Sequence, residues 1–289
     1  MVASFMLACC IATEEPVKSY TREEDIIYSR KDGMALTLDA FRPSKDPNRA
    51  AVFLIVSSGW GSSHSAINVD WVDHYTKRGY TVFAVVHSSA PRYMIPELIP
   101  DVHRAVRFVR KNASRFGVDP NRFAATGASA GAHLSLVLGT MGKPGDPASK
   151  DPVDRESSAV QAVACFFPPT DFNNFVGPAV NALDESVLKN YRKVIGAIPE
   201  NIEERDALGR SISPIYWITA TSAPSLLFHG SKDPYVLLHQ SSSFVIKLQS
   251  AGVDAKLVVK EGESHGWKDM GKDVETCVDW FDAHLQSPK

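Results

Sequence analysis

The chain has 289 residues, 44% hydrophobic and 22% charged, with a formal net charge of -2. That balance is ordinary for a globular protein with a full core, and it gives no electrostatic reason to expect nucleic acid or an anionic membrane surface as partner. The four cysteines, at 9, 10, 165 and 277, fit no zinc spacing and argue against a disulfide framework. Cys165 sits inside an apolar run and reads as a buried thiol. No run reaches the roughly 20 apolar residues needed to cross a bilayer.

Met1 to Ala12 is apolar apart from Ser4 and contains Leu7-Ala8-Cys9, similar to the end of a bacterial lipoprotein signal but without a basic n-region. Residues 1–22 are read as an N-terminal tail or remnant signal segment, favouring a secreted or envelope location over a cytoplasmic one. Glu24–Ser29 and Ala35–Phe41 read as strands joined through Lys31-Asp32-Gly33, an Asp-Gly hairpin turn. Ala51–Ser57 is a continuous apolar run, as in a strand buried on both faces. Helix Ile67–Arg78 ends at Gly79, strand Tyr80–Val86 follows, and Glu97–Phe116 is a long amphipathic helix stopped by Gly117.

Strand Arg122–Thr126 leads into Gly127-Ala128-Ser129-Ala130-Gly131, and helix Ala130–Gly142 leaves it. Lys143–Ser158 is a Pro-, Gly- and Asp-rich surface loop, and Val160–Phe167 is a further strand. From 168 to 220 the pattern weakens, with short helical pieces within Leu183–Ile195 and Ile202–Leu208; a stretch this long between strands reads as a cap or pocket wall. Strand Ser225–His229, helix Leu237–Ala251, strand Ala255–Lys260 and helix Asp273–Leu285 complete the chain. Strands alternating with helices predict a mostly parallel sheet of about eight strands with helices on both faces, in a single domain over 23–289.

In such a sheet, catalytic groups stand at the carboxyl ends of the strands. Gly-x-Ser-x-Gly between a strand and a helix is the sequence of a nucleophile elbow, in which the flanking elements come too close for side chains at Gly127 or Gly131. A serine hydroxyl is a weak nucleophile until a base takes its proton, and the base works best when an acid fixes its tautomer. His265 follows the last strand and Asp233 the one before it, so Ser129, Asp233 and His265 come in the order of an α/β-hydrolase triad. Asp171, Asp254 and Asp269 are the other acids that could serve. Asp233 also reads as a cap before Pro234, and His265 as an ordinary loop histidine.

An oxyanion needs two aimed backbone N–H groups. Ala130 supplies one, and the loop Ser58-Gly59-Trp60 after the 51–57 strand supplies the other, with the Trp60 amide favoured over Gly59 or Ser58. The Trp60 ring reads equally as a core-edge aromatic. His87, Arg92 and Tyr93 are candidates for the pocket mouth, Phe172, Phe175 and Trp267 for an apolar wall, and His133 for a structural role.

The runs Gly127-Ala128-Ser129-Ala130-Gly131-Ala132-His133-Leu134, Ala223-Pro224-Ser225-Leu226-Leu227-Phe228-His229-Gly230-Ser231-Lys232-Asp233 and Gly262-Glu263-Ser264-His265-Gly266-Trp267 resemble the bacterial esterase/lipase branch of the α/β-hydrolase superfamily. That branch includes acetyl-xylan esterase-like, feruloyl esterase-like and arylformamidase-like enzymes, and the resemblance spans roughly residues 30–285. It implies serine-dependent carboxylic ester hydrolysis with no cofactor or metal, on a small-molecule or polymer-linked ester, with Ser129, Asp233 and His265 matching the triad. The alternatives are amide hydrolysis, arylformamidase-like or small peptidase-like, a cutinase-like polyester hydrolase, and a non-catalytic binding protein. The family's usual His-Gly-Gly-Gly-Trp run is reduced here to Ser57-Ser58-Gly59-Trp60, which is similar to the Ser-Pro-Gly-Tyr loop of cutinase-like enzymes.

Overall fold

A computed structural model of the protein describes residues 19–178, 180–183, 192–197 and 199–286. Residues 1–18, with most of the expected N-terminal tail and Cys9 and Cys10, lie outside the described residues. Strand β1 (Tyr20–Lys31) begins four residues before the apolar pattern suggests, because Tyr20 to Glu23 pair with Pro43 to Ala40 of β2 (Met34–Pro43). Asp32 and Gly33 turn the hairpin at φ 46° and 79°, the double left-handed step that an Asp-Gly pair tolerates.

The remaining strands are β3 (Ala51–Val56), β4 (Thr81–Val86), β5 (Phe123–Ala128), β6 (Ala162–Phe166), β7 (Ser225–Gly230) and β8 (Ala255–Lys260). They form one eight-stranded sheet in the order β1-β2-β4-β3-β5-β6-β7-β8, parallel from β4 to β8. All six residues of β3 are buried, and its side chains divide by the pleat. Phe53 and Ile55 join one core with Val102, Leu134 and Phe244, while Val52, Leu54 and Val56 join the other with Val72, Tyr75 and Val278. That division puts α2 (Ile95–Lys111), α4 (Ala130–Met141) and α7 (His239–Ser250) on one face, and α1 (Val69–Lys77) and α8 (Met270–His284) on the other.

One departure from the sequence pattern has a local cause. The Glu97–Phe116 helix is broken at Asn112, whose side-chain amide donates back to the Phe108 carbonyl at 2.7 Å. A one-turn α3 (Ala113–Phe116) then ends on Gly117 at φ 69°. The 143–158 loop has neither helix nor strand, yet it is held down: Arg104 of α2 reaches Asp151 and Asp154 at 2.6 and 2.7 Å.

Within the 168–220 segment, α5 (Arg192–Ile195), α6 (Ile202–Ile212) and a 3₁₀ turn at Pro214–Trp217 are formed. Most of the helical piece expected between Leu183 and Ile195 falls outside the described residues. Asn201 caps α6 by accepting from the Glu203 amide at 2.7 Å. The start of the segment is fastened to α7 by the buried Gln240. Its Oε1 accepts from the Thr170 and Asp171 amides, and its Nε2 donates to the carbonyls of Asp171, Asn174 and Phe175.

Candidate active site

Ser129 stands between β5 and α4 with φ 54° and ψ -118°, a conformation L-residues rarely adopt, costing on the order of 1–3 kcal/mol. The surroundings enforce it. The Ser129 amide donates to the Phe166 carbonyl of β6, and its carbonyl accepts from His133, both at 2.9 Å. A Cβ at Gly127 would stand 2.7 Å from the Gly131 carbonyl carbon, and one at Gly131 would overlap the Ile55 carbonyl oxygen. The small residues are therefore demanded by strand–helix approach.

The three later-strand candidates come together. His265 Nδ1 lies 2.6 Å from Asp233 Oδ2, and His265 Nε2 lies 2.9 Å from Ser129 Oγ. In the tautomer with Nδ1–H donating to the carboxylate, Nε2 accepts from the serine hydroxyl. Asp233 is buried, and its Oδ1 accepts from the Tyr235 and Val236 amides at 2.9 and 3.0 Å. Burial works against ionisation of this carboxyl, but the contacts from His229 and His265 and from those two amides outweigh it and hold it well below the usual carboxylate range. The rival acids are engaged elsewhere: Asp171 with Tyr216 and Asn174, Asp254 with His284, and Asp269 with Lys272.

Three groups at this site were not singled out by sequence reasoning. His229, fully buried on β7, donates through Nε2 to the Val236 carbonyl at 2.7 Å, lies 3.4 Å from Asp233 Oδ2, and has Ser241 Oγ 2.7 Å from Nδ1. Its position four residues before Asp233, at a strand end, was the available signal. Phe167 takes φ 43° just after β6 and lays its ring 4.3 Å from that of His265; nothing in its sequence context marks it. Tyr235, 67% exposed, meets the His265 ring edge-on at 5.5 Å.

After β3 the chain makes a tight turn. Ser58 and Gly61 exchange both backbone hydrogen bonds at 2.9 Å, while Gly59 and Trp60 take φ 53° and 61°. The turn's own bonds thus use the Ser58 and Gly61 amides, with Gly59 and Trp60 at its tip. Ala130 is the first residue of α4, where an N–H has no intrahelical acceptor. The Trp60 indole N–H donates to His133 Nδ1 at 3.1 Å, and His133 Nε2 donates to the Ile212 carbonyl at 2.7 Å. Burial pushes the His133 imidazole down to about 4, against the pull of the Ile212 carbonyl, so the ring is neutral near pH 7.

Phe172 is buried against the rings of Trp60, His133 and Phe175. Trp267 packs on Phe166 and Phe167 and donates to Asp273 at 2.6 Å, which backs the His265 loop. Tyr93 is buried with Lys31 and Arg92 over its ring, on the segment whose Ala90 amide donates to the Trp60 carbonyl. A cavity of about 140 Å³ lies beside the elbow, lined by Ser57, Ala66, Asn68, Trp71, Gly127 and Ala128 among others. Among the described residues, Asp25, Asp39 and His64 bring possible metal-ligand atoms within 4.8 Å of one another, but Asp39 is already taken by Arg22 and the Asp25 amide.

The chain is 27% identical to Esterase LipQ of Mycobacterium tuberculosis over 90% of its own length and 61% of the relative's. It is 27% identical to an ethyl acetate hydrolase of Pseudomonas putida over 87% of its length and 77% of the relative's. It spans only about three fifths or less of the mycobacterial relatives that it matches. Among solved structures it resembles a truncated carbohydrate esterase from gut microbiota, with a TM-score of 0.77, 25% identity and coverage of 93% of this chain and 98% of that one. Thermogutta terrifontis esterase 2, solved phosphonylated by sarin, shares the fold with a TM-score of 0.75 at 22% identity over 92% of this chain and 96% of that one. The sheet, the elbow and a family model that matches residues 38–248 agree: the chain has the α/β-hydrolase fold and belongs to the BD-FAE family.

Proposed function

We propose that this protein hydrolyses carboxylic esters through an acyl-enzyme on Ser129. The observation that carries the reading is the unbroken hydrogen-bonded chain Ser129–His265–Asp233 at the carboxyl ends of β5, β8 and β7. His265 Nε2 takes the Ser129 proton as Oγ attacks the carbonyl carbon. Asp233, held ionised, fixes the Nδ1–H tautomer and stabilises the imidazolium that forms. The oxyanion is received by the amides of Ala130 and Trp60, with Gly59 preceding Trp60 on the turn. His265 then protonates the leaving alcohol, and the same base activates the water that releases the acid.

The names of the relatives, esterases and an ethyl acetate hydrolase, favour an ester over an amide, and the small cavity beside Ala128 favours a short acyl group. Residues 168–220 serve as the pocket wall, with Phe172 contributing through Trp60. The test is hydrolysis of p-nitrophenyl acetate alongside labelling by a fluorophosphonate. Wild-type protein should turn over the ester and be labelled, and Ser129→Ala should do neither. Full activity in Ser129→Ala refutes the assignment, and faster turnover of N-formylkynurenine or an aminoacyl anilide than of any ester transfers it to amide chemistry.

A further inference from the structure

We propose that His133 is a positioning residue for oxyanion stabilisation, clamping the Ser58–Gly61 turn to the carboxyl end of α6 in the pocket wall. The inference rests on the reading that the tip of this turn donates to the oxyanion. It goes beyond that reading by making the donor's position depend on residues that never meet the substrate.

Every polar atom of the imidazole is committed. Nδ1 accepts from the Trp60 indole and Nε2–H donates to the Ile212 carbonyl, so the ring bridges two chain segments that have no sequence proximity. The bridge is shielded from solvent: His133 is fully buried, and the rings of Trp60, His133 and Phe172 pack mutually at 5.4 to 5.8 Å. Phe172 is itself fastened to the same end of α6, since its amide donates to Ser213 Oγ at 2.8 Å. The Trp60 side chain is thus fixed from the wall side by a donor–acceptor pair and by a ring whose backbone is anchored beside Ile212.

This matters because the turn needs such a hold. Gly59 and Trp60 both lie at positive φ, where a tryptophan is strained, and the residues closing the turn are joined by one pair of backbone hydrogen bonds. The Ala90 amide, donating to the Trp60 carbonyl at 3.2 Å, holds the backbone of the tip from one side, and the indole bond to His133 holds its side chain from the other. An ordinary core histidine would be replaceable by any neutral side chain of similar size. A positioning histidine is replaceable only by one that both accepts from Trp60 and donates to Ile212.

Three variants separate these roles. His133→Gln can present an acceptor and a donor in sequence, His133→Leu presents neither, and Trp60→Phe removes the indole donor while keeping an aromatic ring. For p-nitrophenyl acetate, His133→Leu and Trp60→Phe are expected to lower kcat about tenfold, less than the roughly 10²-fold or more that follows complete loss of an oxyanion donor, with KM little changed. Affinity for a trifluoromethyl ketone, which forms the tetrahedral adduct, should fall by the same factor, and His133→Gln should retain most of both. Combining His133→Leu with Trp60→Phe should lower kcat no further than either alone. Thermal melts check folding; if His133→Leu does not fold, Trp60→Phe and His133→Gln still decide. Wild-type kcat and ketone affinity in a folded Trp60→Phe, or Gln behaving no better than Leu, overturns the proposal. Absence of esterase activity and of fluorophosphonate labelling in the wild type would instead overturn the reading on which it rests.

Discussion

Gly230 and Ser264 meet where no side chain fits: a Cβ at 230 would overlap the Ser264 carbonyl oxygen and stand 2.5 Å from that of Glu263. This contact closes the loop bearing Asp233 onto the loop bearing His265, and the Lys232 amide completes it by donating to the Glu263 carbonyl at 2.9 Å. Gly230→Ala should therefore push the base away from the acid and the serine. A displacement of about 1 Å at a reacting group costs roughly 10²-fold in rate, so kcat should fall by about that much while the protein still folds. Unchanged kcat in a folded Gly230→Ala protein would show that the loops tolerate separation.

Asp233→Asn tests the tautomer. The Asn side chain can still accept from the Tyr235 and Val236 amides, but its other end presents N–H₂ to His265 Nδ1, which must then accept. The proton moves to Nε2, and the serine loses its base. Comparable substitutions in triads lower kcat by about 10⁴-fold. Steady-state kinetics, with circular dichroism as the folding control, measure this directly, and a loss under tenfold would point to another acid.

Ser129 is strained, and glycine adopts its backbone conformation without penalty. Relief of about 1–3 kcal/mol, less the greater unfolded-state entropy of glycine at about 0.5–1 kcal/mol, leaves Ser129→Gly more stable by roughly 1 kcal/mol. Ser129→Ala keeps the Cβ and should be near neutral. Urea midpoints of the two inactive variants provide the comparison; equal stabilities would mean the elbow stores no strain.

Stability should fall with acid in a defined window. Burial holds His133 and His103 down to about 4 in the folded chain, with the Arg107 and Lys143 charges adding to the effect at His103. An unfolded histidine titrates near 6.5, so between about 6.5 and about 4 the unfolded chain binds more protons than the folded one. Stability therefore rises with pH across that interval, and is lost as pH falls through it. The melting temperature of wild type should drop more between pH 7 and pH 4.5 than that of His103→Gln. Equal drops would remove His103 from the account.

The proposed preference for a short acyl group rests on the cavity beside the elbow. At about 140 Å³ it is close to the roughly 150 Å³ that admits a benzene molecule, so an acyl chain of up to about six carbons should fit. Across p-nitrophenyl esters, kcat/KM should fall by about tenfold from butanoate to octanoate, and Trp71→Ala should shrink that fall. A flat profile in the wild type would place the acyl group elsewhere.

Much of this site was legible in the sequence because its constraints are local. Gly127 and Gly131 report a strand and a helix in contact, and Ser129, Asp233 and His265 each follow an apolar run, so parallel β-sheet topology alone gathers them. What stayed hidden depends on contacts between distant segments. Nothing near Phe167 announces that it stacks on His265, and nothing near His133 announces that its partners are Trp60 and Ile212. The broken helix at Asn112 and the loop held by Arg104 belong to the same class, since amphipathic spacing records which face is apolar but not what the polar face grips.

Gln240 lies in α7 by sequence, yet its amide reaches across to residues 170 to 175, besides its neighbour His239. Residues 170–175 and Gln240 are in consequence a single heritable unit, although about 65 residues of chain separate them. A chimaera that takes a foreign pocket wall with its junction after residue 176 keeps this clasp and has freedom to change specificity. One whose junction precedes Thr170 leaves a buried amide unpaired, at a cost of about 1–3 kcal/mol, unless the donor's own residue at the matching point of α7 travels with it. Diversification of the wall is thereby confined to the stretch beyond the clasp.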